Sequence, residues 1–306
     1  MNSPANSKPP QIPVEHLGIA VMPGLFVLLW STGFIGAKFG LPYVEPFTFL
    51  LIRFLLVIAL LIGFALITRA PWPRGRGPIT HLAVTGLGVH GAYLGGVFYA
   101  IHTGLSAGIV ALIVGLQPLV TASAAGFFLG DRVTGRQWMG LALGLVGLVL
   151  VVQDRIQPGS GGGEGVLACC LALVGITAGT LYQKRHGETM DLRTGPVVQF
   201  TAAAVVMAIL ASTFETMEVR WSGEFVFALL WLSIVLSLGA ISLLLILIRR
   251  GAAAKVASLF YLTPPVTAVM AYLMFGEELT WIAMLGMLVA AVGVALVTMD
   301  SKKGSE

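Results

Sequence analysis

The sequence predicts an all-α, polytopic membrane protein with ten transmembrane helices arranged as two inverted repeats of five helices. Three observations lead to this fold class: a strongly apolar composition, ten apolar segments of spanning length, and an internal similarity between the two halves. Of the 306 residues, 57% are hydrophobic and 10% are charged, whereas a typical soluble domain is about 45–50% apolar and about 25% charged. So few charges cannot cover a water-facing surface, which excludes a soluble fold.

Ten apolar segments are long enough to cross a bilayer, which requires about 20 residues of helix. They lie at residues 17–38, 46–68, 79–103, 105–128, 133–153, 165–185, 195–214, 224–248, 252–275 and 279–299. The first segment is too long and too poorly flanked for a cleaved signal peptide, so we expect it to remain as a helix. The domain organisation that follows is a tail at 1–16, repeats at 17–153 and 165–299, a glycine-rich linker at 154–164 and a tail at 300–306.

The lysine and arginine residues indicate the orientation of the helices. With a cytoplasmic N-terminus, fourteen of the eighteen positive residues fall in cytoplasmic segments, whereas Lys38, Arg155 and Arg220 fall outside. This asymmetry follows the positive-inside rule and predicts a multi-pass protein of the cell inner membrane with both termini in the cytoplasm. The positive residues are scattered along the chain, so nucleic acid is not an expected partner.

An internal repeat becomes visible when the sequence is aligned with itself at an offset of 146 residues. Because each repeat contains five spans, an odd number, the second copy must cross the membrane in the opposite sense. Inverted repeats are typical of alternating-access carriers, whose substrate site lies between the two halves; the alternative is a duplication used only for packing. The matched residues include Gln117, Pro118 and Thr121 over Thr263, Pro264 and Thr267, then Gly130, Asp131 and Thr134 over Gly276, Glu277 and Thr280, and Gly140 and Gly147 over Gly286 and Gly293.

The ten spans in two repeats, the stretch Trp30–Phe34 in the first span, and the Gly-(Asp/Glu) pair after the fourth and ninth spans resemble the EamA branch of the drug/metabolite transporter superfamily over residues 17–299. The resemblance implies an inner-membrane carrier, most often an exporter of amino acids or related metabolites. The branch also includes carriers of vitamins, metallophores and drugs, so the resemblance does not imply one substrate.

Charged residues are almost absent from the spans. All fourteen acidic residues lie outside the spans or at their ends, which argues against a proton antiporter of lipophilic cations, since such a carrier needs an intramembrane carboxylate. Arg53 is the one full charge within a span and lies roughly 10 Å from the outer end of the second helix. It either holds a substrate carboxylate, or extends its side chain to the outer surface or pairs with Glu45.

Three more candidate substrate-binding residues lie in the first and third spans. His90 and Tyr93 share one face of the third helix. His90 either binds substrate or accepts a proton, or it is a neutral imidazole bonded to a neighbouring backbone. Trp30 lies in the outer half of the first span, where its ring lines the cavity or joins the interfacial aromatic belt.

Repeat-related polar pairs in the fourth and ninth spans complete the predicted site. Each pair adjoins a proline that removes a backbone donor, and kinks at corresponding positions of two halves are good pointers to a carrier site. The alternative is a packing kink satisfied by the threonine hydroxyls. The predicted substrate-binding pairs are Gln117 with Thr121 and Thr263 with Thr267, and the predicted hinges are Pro118 and Pro264.

No cofactor, metal or catalytic residue is expected. The adjacent Cys169 and Cys170 provide neither a disulfide framework nor metal-ligand spacing, and Gly86–Gly91, which matches a dinucleotide fingerprint, lies inside an apolar span and is interpreted as a packing surface. The sequence contains no nucleotide-binding or protease motif, so neither an enzyme nor an ATP-driven pump is predicted.

The predicted function is export of a small neutral or zwitterionic metabolite, an amino acid or a derivative, by alternating access. The expected partners are this small molecule and the lipid bilayer, and a homodimer is left open. The alternatives are an uptake carrier for a vitamin such as riboflavin, an exporter of a metal-chelating metabolite and, in another class, a membrane-embedded enzyme or scaffold.

Overall fold

A computed structural model of the chain describes residues 14–129, 134–153, 162–186, 190–240, 243, 260–278 and 280–300. In these ranges the regular elements are helices, with one isolated β-bridge between Val44 and Val219. An all-α polytopic membrane protein is therefore confirmed.

Where the structure describes them, the helices follow the ten predicted segments. Residues 241, 242 and 244–259, which fall mainly in the predicted segments 224–248 and 252–275, lie outside the described residues. Two of the helices contain π-helical stretches, at Leu87–Ala92 and Trp231–Ala240, and one is interrupted at Leu116, between Ala107–Gly115 and Gln117–Leu129. The helices are α1 (Val14–Gly40), α2 (Pro46–Ile67), α3 (Arg76–His102), α4 (107–129), α5 (Gly135–Val152), α6 (Gly162–His186), α7 (Gly195–Phe214), α8 (223–240), α9 (Thr263–Phe275) and α10 (Trp281–Asp300).

Length and apolar composition identify the membrane-spanning helices. Among the described residues, α1, α2, α3, α4, α6 and α7 each contain a stretch long and apolar enough to cross a bilayer, while the described apolar parts of α5, α8, α9 and α10 are shorter. Large apolar side chains such as Ile67 and Leu273 point away from the bundle and are 84% and 74% exposed. Such a surface is stable when lipid surrounds it.

Some predicted segment ends differ from the structure. Helix α6 begins at Gly162, so the last three residues of the predicted linker are helical, and Glu164 in its first turn suits the positive end of the helix dipole. Helix α1 begins at Val14, within the predicted N-terminal tail. Residues 154–161 of the linker, and 1–13 and 301–306 of the two tails, lie outside the described residues.

The two halves pack through equivalent helices. Helix α2 packs on α7, α4 on α9 and α5 on α10, and α1 packs on α8 as α6 packs on α3. Between α5 and α10 the backbones touch: a Cβ on Gly147 would lie 2.5 Å from the carbonyl oxygen of Gly286, and one on Gly293 would lie 2.6 Å from that of Gly140. Because Gly140 and Gly147 are the repeat equivalents of Gly286 and Gly293, exchanging the halves exchanges the two contacts, as inverted repeats require.

The π-helical stretches also correspond between the halves. At the offset of 146 residues, Leu87–Ala92 in α3 falls on 233–238, inside Trp231–Ala240 of α8. π-Helical turns are rare overall, but those that occur are often at functional sites. Such a turn inserts a residue and so redirects the side chains around it. Hydropathy and spacing did not predict either stretch.

Contacts between loops agree with the predicted alternation of spans. Lys38 at the end of α1 forms an ion pair with Glu277 between α9 and α10, and Arg220 donates to the carbonyl of Pro42. At the opposite end, Thr194 donates to the carbonyl oxygen of Pro71 at 2.7 Å. We name the first the outer end and the second the inner end, following the positive-inside prediction.

Candidate substrate site

Arg53 is buried where α2 meets α8. The residue is only 4% exposed, and its Nη2 atom donates a hydrogen bond to the carbonyl oxygen of Leu232 at 3.2 Å. That carbonyl belongs to the π-helical stretch of α8 and also accepts a hydrogen bond from Ser237 Oγ at 3.0 Å. Arg53 Nε is buried and has no hydrogen-bond partner among the described residues, so the guanidinium retains a donor for an anionic group.

Arg53 neither extends to the outer surface nor pairs with Glu45. The side chain does not reach the outer surface, because the residue is buried. Glu45 is engaged elsewhere, since its Oε2 accepts hydrogen bonds from the backbone nitrogen and the hydroxyl of Thr216, both at 2.7 Å.

His90 and Tyr93 lie beside Arg53. The His90 ring stacks on Phe200 of α7 with centroids 4.0 Å apart and meets Phe54 edge-on at 6.5 Å. His90 and Tyr93 are both close enough to Arg53 for an electrostatic interaction, and the His90 side chain also interacts with that of Gln199. We name Arg53, His90, Tyr93 and Gln199 the Arg53 cluster.

Gln199 is a member of this cluster that the sequence analysis missed. The signal was present in the repeat, because the 146-residue offset places Arg53 on Gln199 and Phe54 on Phe200. The rings of Phe54 and Phe200 contact each other at 5.4 Å, so the equivalent positions meet where α2 crosses α7. The cluster is therefore asymmetric: one half contributes a charged guanidinium and the other contributes a neutral amide.

A second polar group surrounds the breaks in α4 and α9. Gln117 donates from Nε2 to Thr180 Oγ1 at 3.3 Å, which joins α4 to α6. Ser31 Oγ donates to the carbonyl oxygen of Thr263 at 3.4 Å, which joins α1 to α9. Ser31 and Thr263 are the repeat equivalents of Thr177 and Gln117, so the two contacts join equivalent pairs of helices.

Four threonine hydroxyls in this second group are buried and unpaired among the described residues. Buried polar atoms normally have a hydrogen-bond partner, and leaving one without a partner costs about 1–3 kcal/mol. The hydroxyls are therefore available to a bound molecule or to water, and they do not satisfy the proline kinks as the packing alternative requires. We name these residues the threonine set: Thr121, Thr177, Thr263 and Thr267.

The predicted hinge prolines lie at interruptions of regular helix. Pro118 follows the break at Leu116, and Pro264 follows the 3-10 turn Phe260–Leu262. A Cβ on Gly115 would lie 3.2 Å from Pro264 Cγ, so the two breaks face each other across the halves. This placement is compatible with bending, and the hinge role stays a prediction.

Trp30 packs within the bundle. Its ring lies 5.5 Å from Phe26 and 5.1 Å from Phe260, between α1 and the start of α9. The adjacent hydroxyl of Thr32, in turn, accepts a hydrogen bond from Trp231 Nε1 at 2.9 Å, which joins α1 to α8. Trp30 thus forms part of an internal aromatic cluster, while a role in substrate contact stays a prediction.

The Arg53 cluster and the threonine set occupy different helix interfaces. No hydrogen bond connects them within the described ranges, and the packed pair α3 and α6 contributes to both groups. These two helices approach at backbone distance, because a Cβ on Gly88 would lie 2.8 Å from the Cα of Gly179. The structure therefore brings Arg53, His90 and Tyr93 together, and separately places the polar residues of α4 and α9 against α6 and α1.

The acidic residues lie at the ends of the helices. Each acidic residue that the structure describes is in a loop, at a helix end or in a terminal turn, as Glu164 and Glu224 illustrate. Within the described spans, buried Arg53 therefore has no carboxylate partner. A bundle of membrane-spanning helices in two inverted repeats, with unpaired polar atoms near the interface of its halves, defines a polytopic membrane transporter.

Comparison with known proteins identifies the family. The chain belongs to the EamA-like transporter family, whose sequence model matches residues 18–153 and again 163–299. It is 28% identical to the uncharacterized transporter YvbV of Bacillus subtilis over 298 residues, covering 92% of each chain. It is 25% identical to a probable amino-acid metabolite efflux pump of Escherichia coli, covering 88% of this chain and 91% of that protein.

Two further similarities concern location and fold. The uncharacterized inner membrane transporter YedA of Escherichia coli is 26% identical over 89% of this chain and 88% of its own length. A solved crystal structure superposes with a TM-score of 0.63 over 92% of this chain and 98% of its own, at 20% identity. The latter similarity shows a shared fold.

Proposed function

We propose that this transporter exports a small neutral or zwitterionic metabolite, an amino acid or amino-acid derivative, across the cell inner membrane by alternating access. The observation that carries the proposal is the Arg53 cluster. A buried guanidinium with an unpaired Nε lies beside an imidazole and a phenol, in spans whose described interior holds no carboxylate. Such a site repels a cation and favours a carboxylate, which a guanidinium binds through charge-assisted hydrogen bonds.

In the proposed mechanism, the substrate carboxylate accepts hydrogen bonds from Arg53 while Tyr93 and His90 contact its polar substituents. The threonine set and Gln117 provide hydroxyl and amide groups for the uncharged or amino end of the substrate. Because Thr121 and Thr267 are equivalent in the inverted repeats, similar contacts are available when the halves exchange conformations. Bending at Pro118 and Pro264 would allow α4 and α9 to open each end in turn.

The relatives support the direction and the location. One is named a probable amino-acid metabolite efflux pump and another an inner membrane transporter. The asymmetric distribution of lysine and arginine supports cytoplasmic termini. Without an intramembrane carboxylate to carry protons, the transport is either facilitated diffusion or is coupled through His90.

The test is efflux from proteoliposomes loaded with a panel of labelled amino acids. We expect saturable efflux of at least one amino acid, and we expect Arg53→Gln, His90→Ala and Gln117→Leu to reduce it. Arg136→Gln is the matched control, since Arg136 is an exposed arginine at the start of α5.

Other results would select another function. Saturable transport of riboflavin or of a metal chelate, with no amino-acid flux, would replace the amino-acid proposal. Flux that all three substitutions leave unchanged would refute the proposed site. Flux that does not respond to an imposed pH gradient would exclude a proton step through His90.

A further inference from the structure

A cavity separate from the candidate substrate site lies at the inner end of the bundle. Its volume is about 240 Å³, and it is enclosed by the segment 71–78, the inner parts of α3 and α6, and the start of α7. Its polar lining includes Arg74, His81, Gln183, His186 and the carboxylate of Asp191. Three prolines, Pro71, Pro73 and Pro78, restrict the backbone of one wall. None of the residues of the proposed transport mechanism lines this cavity.

Two stacked imidazoles form part of its wall. His81 of α3 lies over His186 of α6 with centroids 4.6 Å apart and planes inclined by 13°. The Nδ1 atom of His81 is 2.8 Å from Tyr182 Oη, and that of His186 donates to the carbonyl oxygen of Tyr182 at 3.2 Å. When the Tyr182 hydroxyl donates to His81, the proton of that ring is on Nε2, so a neutral His81 is a donor for a ligand.

The described positive residues at this end outnumber the described acidic residues. The described acidic residues at this end are Glu15, Asp191 and Asp300, and of these Asp191 lines the cavity. The backbone nitrogen and the guanidinium of Arg193 bind both oxygens of Asp191 at 2.8–3.1 Å. These hydrogen bonds hold the pKa of the Asp191 carboxyl at about 2, so it remains ionised and paired with Arg193 at neutral pH. The described positive residues at this end are Arg69, Arg74, Arg76, Arg136, Lys184, Arg185 and Arg193.

The geometry points to a binding site for the phosphate group of an anionic phospholipid. Arg74, His81 and Gln183 provide donors of the kind that bind phosphate oxygens. Beside them Trp72 is 41% exposed, and the large apolar side chains Ile79 and Val84 on α3 point away from the bundle.

A lipid source of the phosphate explains these apolar neighbours. A tryptophan and exposed apolar side chains next to a basic pocket suit the junction of a headgroup with its acyl chains, which a free phosphate does not need. A lipid bound here would hold the segment 71–78 against α3 and α6. It would thereby stabilise the inner end of the helix that carries His90.

The experiment measures lipid retained by the purified protein. The protein is reconstituted in nanodiscs of phosphatidylcholine mixed with phosphatidylglycerol, and bound lipid is counted by native mass spectrometry after release into detergent. We expect the wild type to retain phosphatidylglycerol in preference to phosphatidylcholine. We expect the double variant Arg74→Gln/His186→Gln to retain about fivefold less of it, and Arg136→Gln to behave as the wild type.

Control measurements separate the lipid from a free phosphate and from a folding defect. Both substituted residues are exposed, so the variant should keep the wild-type melting temperature in pure phosphatidylcholine and lose only the increase that phosphatidylglycerol produces. Equal retention by the wild type and the double variant would overturn the proposal. Displacement of the lipid by millimolar inorganic phosphate, with equal protection by phosphate alone, would overturn the lipid source.

Discussion

Substitution of Arg53 by glutamine tests the candidate site most directly, because this residue has both a structural contact and an unused donor. The Nη2 atom binds the carbonyl of Leu232, and Nε is unpaired. The Leu232 carbonyl keeps its hydrogen bond from Ser237, so the loss is that of one hydrogen bond to a charged group, which lowers the free energy of unfolding by about 1.5–3 kcal/mol. Loss of a buried charge that binds a substrate carboxylate costs about 2–5 kcal/mol of binding free energy.

The lower limit of that binding loss, about 2 kcal/mol, corresponds to a roughly 30-fold weaker affinity. The assay is the concentration dependence of efflux from proteoliposomes, together with thermal unfolding in detergent. We expect Arg53→Gln to raise the KM for efflux at least 30-fold. We expect Arg53→Lys to give an intermediate KM, because lysine keeps the charge and loses the planar fork of donors.

The two measurements separate binding from structure. Arg136→Gln should leave both the KM and the melting temperature unchanged, since Arg136 is exposed at the start of α5. A normal KM in an Arg53→Gln protein of reduced thermal stability would show that Arg53 only supports the π-helical stretch of α8. That result would refute the assignment of Arg53 to the substrate carboxylate.

Three further substitutions test other contacts. Gly147→Ala should lower the free energy of unfolding by about 1–3 kcal/mol, because the added carbon would clash with the backbone of α10. Gly63→Ala is the control: nothing lies within 4 Å of its added carbon, so thermal unfolding should be nearly unchanged. Thr121→Val removes an unpaired buried hydroxyl, so efflux should fall while the melting temperature stays the same or rises; a melting temperature several degrees lower would contradict this. Lys38→Met breaks the ion pair with Glu277, which we expect to hold the outer end closed. In a background without the native cysteines, this substitution should increase the rate at which an impermeant maleimide labels Ser31→Cys from outside, by up to about fivefold. An unchanged labelling rate would show that the ion pair does not hold the outer end closed.

The helices were predictable from the sequence because lipid imposes a simple rule. A helix that meets acyl chains must be apolar over its length, so hydropathy alone placed the segment 46–68 within one residue of the helix Pro46–Ile67. The inverted arrangement was predictable for a similar reason, since an odd number of spans in each repeat leaves no other topology. The close contact of Gly147 with Gly286 could be expected only as a tendency of small residues to pack.

The site was predictable only in part. Arg53, His90 and Tyr93 were identified because polar groups in a span are conspicuous, and the structure places them together. Gln199 was overlooked although the 146-residue offset aligns it with Arg53.

The π-helical stretches had no sequence signal. The stretch in α8 makes a tertiary contact, the hydrogen bond from Arg53 to the carbonyl of Leu232, that hydropathy does not encode. Thr177 was overlooked for a different reason. A threonine hydroxyl on a helix usually donates a hydrogen bond to a carbonyl of the preceding turn, as Thr201 does to Val197. Only the structure shows that the hydroxyl of Thr177 makes no such bond.

The glycine contacts between α5 and α10 also limit how the two halves can move. Where the backbones touch at Gly147 and Gly286, no side chains intervene that could change rotamer to absorb a displacement. Sliding or twisting at this contact would therefore separate the two helices, whereas a small tilt about it would not. Gly88 of α3 and Gly179 of α6 form a second contact of this kind between the halves. Any rocking of one half against the other must therefore tilt the helices at both contacts.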